Sequence, residues 1–407
     1  MSTTSATAPP AEKPTEKPTE KLAEQTAETI AVRPRIRGID LARGLALFGM
    51  FAAHVGPSSD VGGLTGALMF AASGRSSILF ATLAGLSLAL LSGGATPPGA
   101  SDPRRTRLRI AVRGLLIMGI GVTLTAMGTP VAVILAYYGV FFLLAIPFLR
   151  MKAHTLLVIA GCWALVGPVV ALLVQSWWWG SSAADVVARV DPITLISGEG
   201  IDQLLVTGIY PAVTWMPFIL VGLALGRMDI ARLSRTTMLA IGVGMAFVAY
   251  GFSALLAPLG PQAVVGPPDA SGSLDWSILM GADAHTGSTF EIVGGIGVAL
   301  AILALCLGFA EWLPRLTRPI VAAGSMSLTI YVVHVLTINV AGLDAMPGSP
   351  LWVLLAFIAG SIVFALIWFR FARRGPLESL VHSTTAALIA RPTSLSTDPT
   401  TDRRTHS

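Results

Sequence analysis

Three histidines stand where histidines are costly. His54, His285 and His334 each lie in or beside a long apolar stretch, and Glu291, Tyr210, Tyr331, Ser327 and Arg75 occupy comparable positions. These are the side chains of proton transfer. An imidazole with a pKa near roughly 6.5 takes and gives protons at neutral pH. A carboxylate or phenol can orient it, and hydroxyl or guanidinium donors can stabilise a developing oxyanion. A metal is not expected: no two histidines are three or four residues apart, and there is no H-E-x-x-H or close cysteine pair. Walker, Rossmann and G-x-S-x-G patterns are also missing, so nucleotide hydrolysis and α/β-hydrolase chemistry have no support.

The elements that must position these residues are membrane spans. Hydrophobic residues make up 54% of the 407-residue chain and charged residues 12%, with a mean hydropathy of +0.74. A spanning helix needs about 20 apolar residues. The sequence predicts ten, near 39–57, 76–93, 108–128, 131–149, 155–175, 205–226, 236–257, 288–310, 319–341 and 351–372. The fold class is therefore all-α, a polytopic membrane helix bundle of about ten transmembrane helices. Basic residues crowd alternate loops: Arg33, Arg35 and Arg37, then Arg104, Arg105 and Arg107, Arg150 and Lys152, Arg227, Arg232 and Arg235, Arg315 and Arg318, and finally Arg370, Arg373 and Arg374. The intervening loops carry only Arg75 and Arg189 against several aspartates. By the positive-inside rule both termini are cytoplasmic. The net charge of +5 comes from these arginines, which flank helices and form no groove-sized patch, so nucleic acid is not an expected partner.

Residues 1–34 hold a Glu-Lys-Pro-Thr repeat and are expected to be a disordered cytoplasmic tail, without the apolar region of a cleavable signal peptide. Residues 35–383 form the membrane domain and 384–407 a second disordered tail. The long outer loops near 176–204 and 258–287 have room for short helices that form part of a lid. Cys162 and Cys306 fall within spans and read as small buried apolar residues without a disulfide.

Arg43, Leu47, Met50 and His54 share one stripe of the first span. Asp40 and Arg43, three apart, can pair at its inner end, and His54 lies about 16 Å further along. Ser327, Tyr331 and His334 share a face of the ninth span, while His285 sits at the outer rim of the eighth with Glu291 about one turn deeper. Asp40–Arg43 reads equally well as a structural pair or a ligand site. Arg75 has three readings: pairing with Asp60, snorkelling to lipid phosphate, or holding an anionic substrate group. Each polar residue alone reads as structural. Together, several helices deliver His, His, His, Glu, Tyr and Arg to a similar depth, which makes a candidate site.

The run Arg37-Gly38-Ile39-Asp40-Leu41-Ala42-Arg43-Gly44 resembles the catalytic-domain family of heparan-α-glucosaminide N-acetyltransferase and the related YeiB-like membrane proteins. The segments from Arg75 to Phe80, Val206 to Pro211, Gly222 to Arg227 and Gly375 to Glu378 look YeiB-like, and Tyr331-Val332-Val333-His334 is similar to both. The resemblance implies a plasma-membrane acyltransferase, with acetyl-CoA or another acyl-CoA as the cytoplasmic donor. The acceptor would be a sugar, glycolipid or envelope group on the far side. Membrane lipids are expected partners, and a homo-oligomer is compatible with this reading. His54 is then the first choice as base or acyl-carrying nucleophile, oriented by Glu291 or Tyr331, with His285 second and His334 beside them. Tyr210, Ser327 or Arg75 would stabilise the oxyanion, and the end holding Asp40, Arg43, Arg109 and Arg113 would take the CoA phosphates. The family's histidine in the loop after the first helix has no counterpart in residues 57–74. A transporter or flippase, or a non-catalytic envelope-assembly protein, are the alternative readings.

Overall fold

The computed structural model describes residues 36–95, 103–230, 233–256, 258, 275–343 and 348–389. The expected N-terminal tail and most of the second long loop lie outside them. Among the described residues the chain is helical and contains no strand. In order it forms α1 (Arg37–Val55), α2 (Gly63–Ala72), α3 (Arg75–Leu91), α4 (Pro103–Ala126), α5 (Leu135–Ala145), α6 (Ala153–Trp178), the short α7 (Ser182–Val190) and α8 (Pro192–Ser197), and α9 (Ala212–Arg227). There follow α10 (Arg235–Leu256), α11 (Thr289–Trp312), α12 (Pro314–Ser325), α13 (Ser327–Val340), α14 (Leu351–Trp368) and α15 (Pro376–Ile389).

Among the described residues, seven helical segments are long and apolar enough to cross a membrane, with α2 and α3 counted together as one, and the bent pair α12–α13 would be an eighth. The chain is a helical membrane protein. Two of the ten predicted spans are represented by shorter apolar helices, Leu135–Arg150 and Ala212–Arg227. The second is shortened by a π-helical turn over Gln203–Thr207 and a break at Gly208. A Cβ on Gly208 would collide with the Tyr137 hydroxyl, so the break also lets that phenol pack closely.

The ninth predicted span is not continuous. α12 and α13 meet at 72°, with Met326 at φ −124° and ψ 40° between them. A break exposes main-chain N–H groups that a continuous helix would pair. Glu378 of α15 supplies the acceptor: Leu328 N donates to Oε1 at 2.8 Å, and the Thr329 hydroxyl donates to Oε2 at 2.6 Å. α15 itself continues to Ile389, past residue 383, because Val381 and Thr385, one turn apart, are both buried.

α1 is central and packs on α3, α11 and α12, while α9 packs between α3 and α6. Small residues allow these approaches, the usual basis of helix packing in membranes. A Cβ on Gly324 of α12 would collide with the Asp40 carbonyl, and one on Gly222 of α9 with the Thr82 carbonyl. At the end of α9 the buried Arg227 donates to the carbonyls of Ala89, Gly94 and Leu149, tying the ends of α3 and α5. Cys306 is buried, but Cys162 is exposed, contrary to expectation. It lies on the face of α6 that also exposes Val158, Leu165 and Val166, the apolar side turned away from the bundle. Gly222→Ala should push α3 and α9 apart and cost about 1–3 kcal/mol. Gly244→Ala, whose Cβ meets nothing within 4 Å, should cost nothing. Thermal unfolding of both variants in detergent checks the pair.

Candidate active site

At the end of the bundle where α1 stops and α11 begins, two histidines from distant segments meet. His54 Nδ1 lies 3.1 Å from His334 Nε2, and the rings are nearly parallel, 5° apart. Phe51 and Tyr331 pack on His334 with ring centroids at 4.7 and 4.9 Å, so the buried imidazole is held on several sides. One of the two bonded nitrogens must carry the hydrogen. With Nδ1 occupied, His54 has Nε2 left for the cavity it lines. That cavity is about 250 Å³ and is also lined by His285, Tyr210, Tyr331, Ser76 and Ser77. Tyr331 reaches it from α13 with its hydroxyl oxygen accepting from Ile134 N at 3.2 Å.

His285 enters from the loop before α11. It is the non-glycine residue with positive φ, 67°, among the described residues, a conformation that needs support from its surroundings. Glu291 supplies it. The carboxylate accepts from His285 N at 2.6 Å, Gly287 N at 2.6 Å and the Thr286 hydroxyl at 3.3 Å. Ser288 caps α11 by accepting from Glu291 N at 3.0 Å. Glu291 thus orients the His285 loop, whereas His54 is oriented by His334. The His285 ring packs against Tyr210 and Trp215, at 5.1 and 6.2 Å between centroids. Its Nδ1 is buried without a hydrogen-bond partner among the described residues.

Burial pushes the His285 pKa down to about 4. As pH falls below the ordinary value of 6.5, the unfolded chain therefore binds this proton first. Stability is fully present above 6.5 and is lost as pH approaches 4. The expected loss is on the order of 3 kcal/mol. Melting temperature followed from pH 7 to pH 4 should fall less in His285→Gln than in the unaltered chain; equal falls would remove His285 as the cause.

The remaining predicted residues are distributed more widely. His334 supports His54 from behind and does not line the cavity. Ser327 begins α13 at the bend, about 10 Å along the helix from His334, and does not line it either. Arg75 lines a neighbouring groove. At the opposite end of the bundle, Arg43 Nη1 donates to Asp40 Oδ1 at 2.8 Å and Nη2 to Ser87 Oγ at 2.6 Å. The charges of Arg43, Glu378 and Arg374 act on Arg113. Partial burial, then Arg374, Arg113 and Arg109, lower the pKa of His382 on α15. Arg109 itself is exposed. The described residues contain no group of three or more His, Cys, Asp or Glu placed to hold a metal ion.

Residues 35–250 match the family model of the heparan-alpha-glucosaminide N-acetyltransferase catalytic domain. The chain belongs to this family. Residues 276–387 match a second model, a protein family of unknown function, DUF418, and no curated protein matches the chain. Both halves of the sequence resemblance are thereby shown, and the acetyltransferase family points to a membrane acyltransferase-type activity. The cavity of this acetyltransferase-family chain is shared between the two matches. His54, Ser76, Ser77 and Tyr210 come from the acetyltransferase segment; His285 and Tyr331 come from the second, as does His334 behind His54.

Several participants escaped the sequence reading. Ser76 and Ser77 sit in a start-of-span motif whose serines look like helix caps. Ser87 resembles any small residue in a span. Glu199 lies in an outer loop, yet its charge acts on Tyr137, Tyr210 and Tyr331. Burial raises its pKa, and its Oε2 is buried without a hydrogen-bond partner among the described residues. Only the paired phenols Tyr137-Tyr138, in an otherwise apolar run, signalled a polar neighbour there.

Proposed function

We propose that the protein is a multi-pass plasma-membrane acyltransferase that moves an acyl group from acyl-CoA to a hydroxyl or amine of an extracytoplasmic acceptor. The observation that carries this reading is the His54–His334 contact at the cavity wall. For His54 Nε2 to accept a proton, its Nδ1 must carry one and donate it to His334 Nε2. The 3.1 Å contact accommodates that tautomer, with His334 Nε2 as the positioned acceptor a histidine base needs. The acceptor oxygen or nitrogen attacks the thioester carbonyl carbon while its proton passes to His54 Nε2. The C–S bond then breaks, and His54 returns the proton to the departing CoA thiolate. Tyr331 and Tyr210 line the cavity as hydroxyl donors for the tetrahedral oxyanion.

Arg43, Arg113 and Arg374 favour the CoA phosphates at the other end, which we place in the cytoplasm with both termini. Arg43 and His54 are eleven residues apart on α1, about 16 Å, a gap suited to an extended pantetheine arm. The test uses the full chain in proteoliposomes with acetyl-CoA. Free thiol should appear only when an acceptor amine or hydroxyl is supplied. Movement of the acceptor across the bilayer without acyl donor, and no thiol release, would replace this reading with transport.

A further inference from the structure

A second space adjoins the cavity. Between α1, α3 and α11 runs a groove of about 330 Å³. Its floor is Leu41, Leu79 and Cys306, each no more than 3% exposed; its rims, Leu45, Leu305 and Phe309, are 40–44% exposed. Leu41, Leu45 and Gly49 follow one another at intervals of four on α1, a stripe about 12 Å long. The end beside Gly49 is chemically different, because Arg75 and Ser76 form it.

Arg75 is held in place without an ion pair. Its Nε donates to the Tyr250 hydroxyl at 3.2 Å and its Nη1 to the Phe70 carbonyl at 2.9 Å. The guanidinium carbon lies 4.8 and 4.9 Å from the Phe70 and Tyr250 ring centres. Every one of these partners is neutral. Among the described residues no carboxylate makes an ion pair with it, and its Nη2 donates no hydrogen bond. The charge of Glu291 interacts with Arg75 but forms no ion pair with it, so Nη2 stays open; an apolar slot capped by such a cation complements a hydrocarbon chain that carries a phosphate. The groove between α13 and α14, about 340 Å³, is equally apolar but has no arginine or lysine in its lining. Ala72 and Ser76 line both the α1–α3–α11 groove and the polar cavity, so a headgroup held at Arg75 stands beside His54 and Tyr210.

We propose that this groove holds the hydrocarbon chain of a phosphate-bearing membrane lipid, with the phosphate on Arg75, and that the lipid headgroup is the acceptor offered to the cavity. The acceptor role rests on the acyltransferase reading; the lipid site does not.

Native mass spectrometry of the full chain, released from detergent with added phosphatidylglycerol, reads the site. The unaltered chain should retain the lipid. Arg75→Gln should lower the retained fraction about tenfold through loss of one charge-assisted contact. Leu305→Trp, which fills the slot from its exposed rim and leaves Arg75 intact, should do the same, and Arg75→Lys should restore most of the binding. Gly360→Leu in the α13–α14 groove should change nothing. Equal retention by all variants means lipid packed non-specifically around the bundle and overturns the site. Thiol release from acetyl-CoA then separates the two proposals. Release with phosphatidylglycerol and not with glucosamine supports a lipid acceptor. Release with glucosamine alone overturns the acceptor role and keeps the transferase. No release with either, while the lipid is still held, overturns the transferase and leaves the lipid site standing.

Discussion

His54→Gln should lower acyl transfer about a thousandfold, within the usual range for a lost general base, without unfolding the bundle. His54 is half-buried at the cavity wall, and glutamine keeps a polar group of similar reach, so packing around Phe51 and His334 has little to lose. The Michaelis constant for acyl-CoA should hardly move, because Arg43, assigned to its phosphates, lies about 16 Å away along α1. His334→Gln should have a smaller effect, about tenfold to a hundredfold. It removes the group that fixes the tautomer but leaves the base. Steady-state thiol release in proteoliposomes, with circular dichroism as the check on folding, measures both. A His54→Gln variant within tenfold of the unaltered chain would sink the assignment.

The second large effect is on stability. Glu291→Ala should cost about 4 kcal/mol, because it strips a buried carboxylate from the His285 and Gly287 main-chain N–H groups and leaves both unpaired. Glu291→Gln keeps one acceptor oxygen and should cost about half as much. The loss should also reach activity, since the strained His285 backbone at φ 67° has no other anchor of comparable strength and its ring leaves the cavity. Thermal unfolding separates this clamp from a proton-transfer role. A carboxylate that only moved protons could be replaced by alanine with little change in melting temperature.

The parts legible in the sequence were those governed by local pattern. Apolar runs located nearly every long helix, and the spacing of Asp40 and Arg43 foretold their 2.8 Å pair. Shared depth also put His54, His285, Tyr210 and Tyr331 in one candidate site, and all four line the cavity. The parts that were not legible depend on residues far apart in the chain. The bend at Met326 lies in a run whose glycine and serines also suit close helix packing, and its N–H groups are satisfied by Glu378, fifty residues later than Leu328. Arg75 faces the groove because Phe70 and Tyr250 hold it there, which neither residue's position along the chain reveals. Glu291 was read as a neighbour of His54 by depth alone. Its actual partners are the amides of its own loop, and helical periodicity says nothing about a turn.

The His54–His334 contact spans 280 positions, and that separation has a consequence for how the molecule is made. Synthesis delivers α1 to the bilayer long before α13. Asp40 and Arg43 can satisfy each other within that first helix as soon as it is inserted, so the costly charges are settled early. The histidine pair cannot form until nearly the whole polypeptide has left the ribosome. A nascent or truncated chain that stops short of residue 334 can therefore be membrane-inserted and packed around α1 while His54 still lacks its positioning partner, and on the proposed mechanism full activity comes only with one of the last helices to arrive.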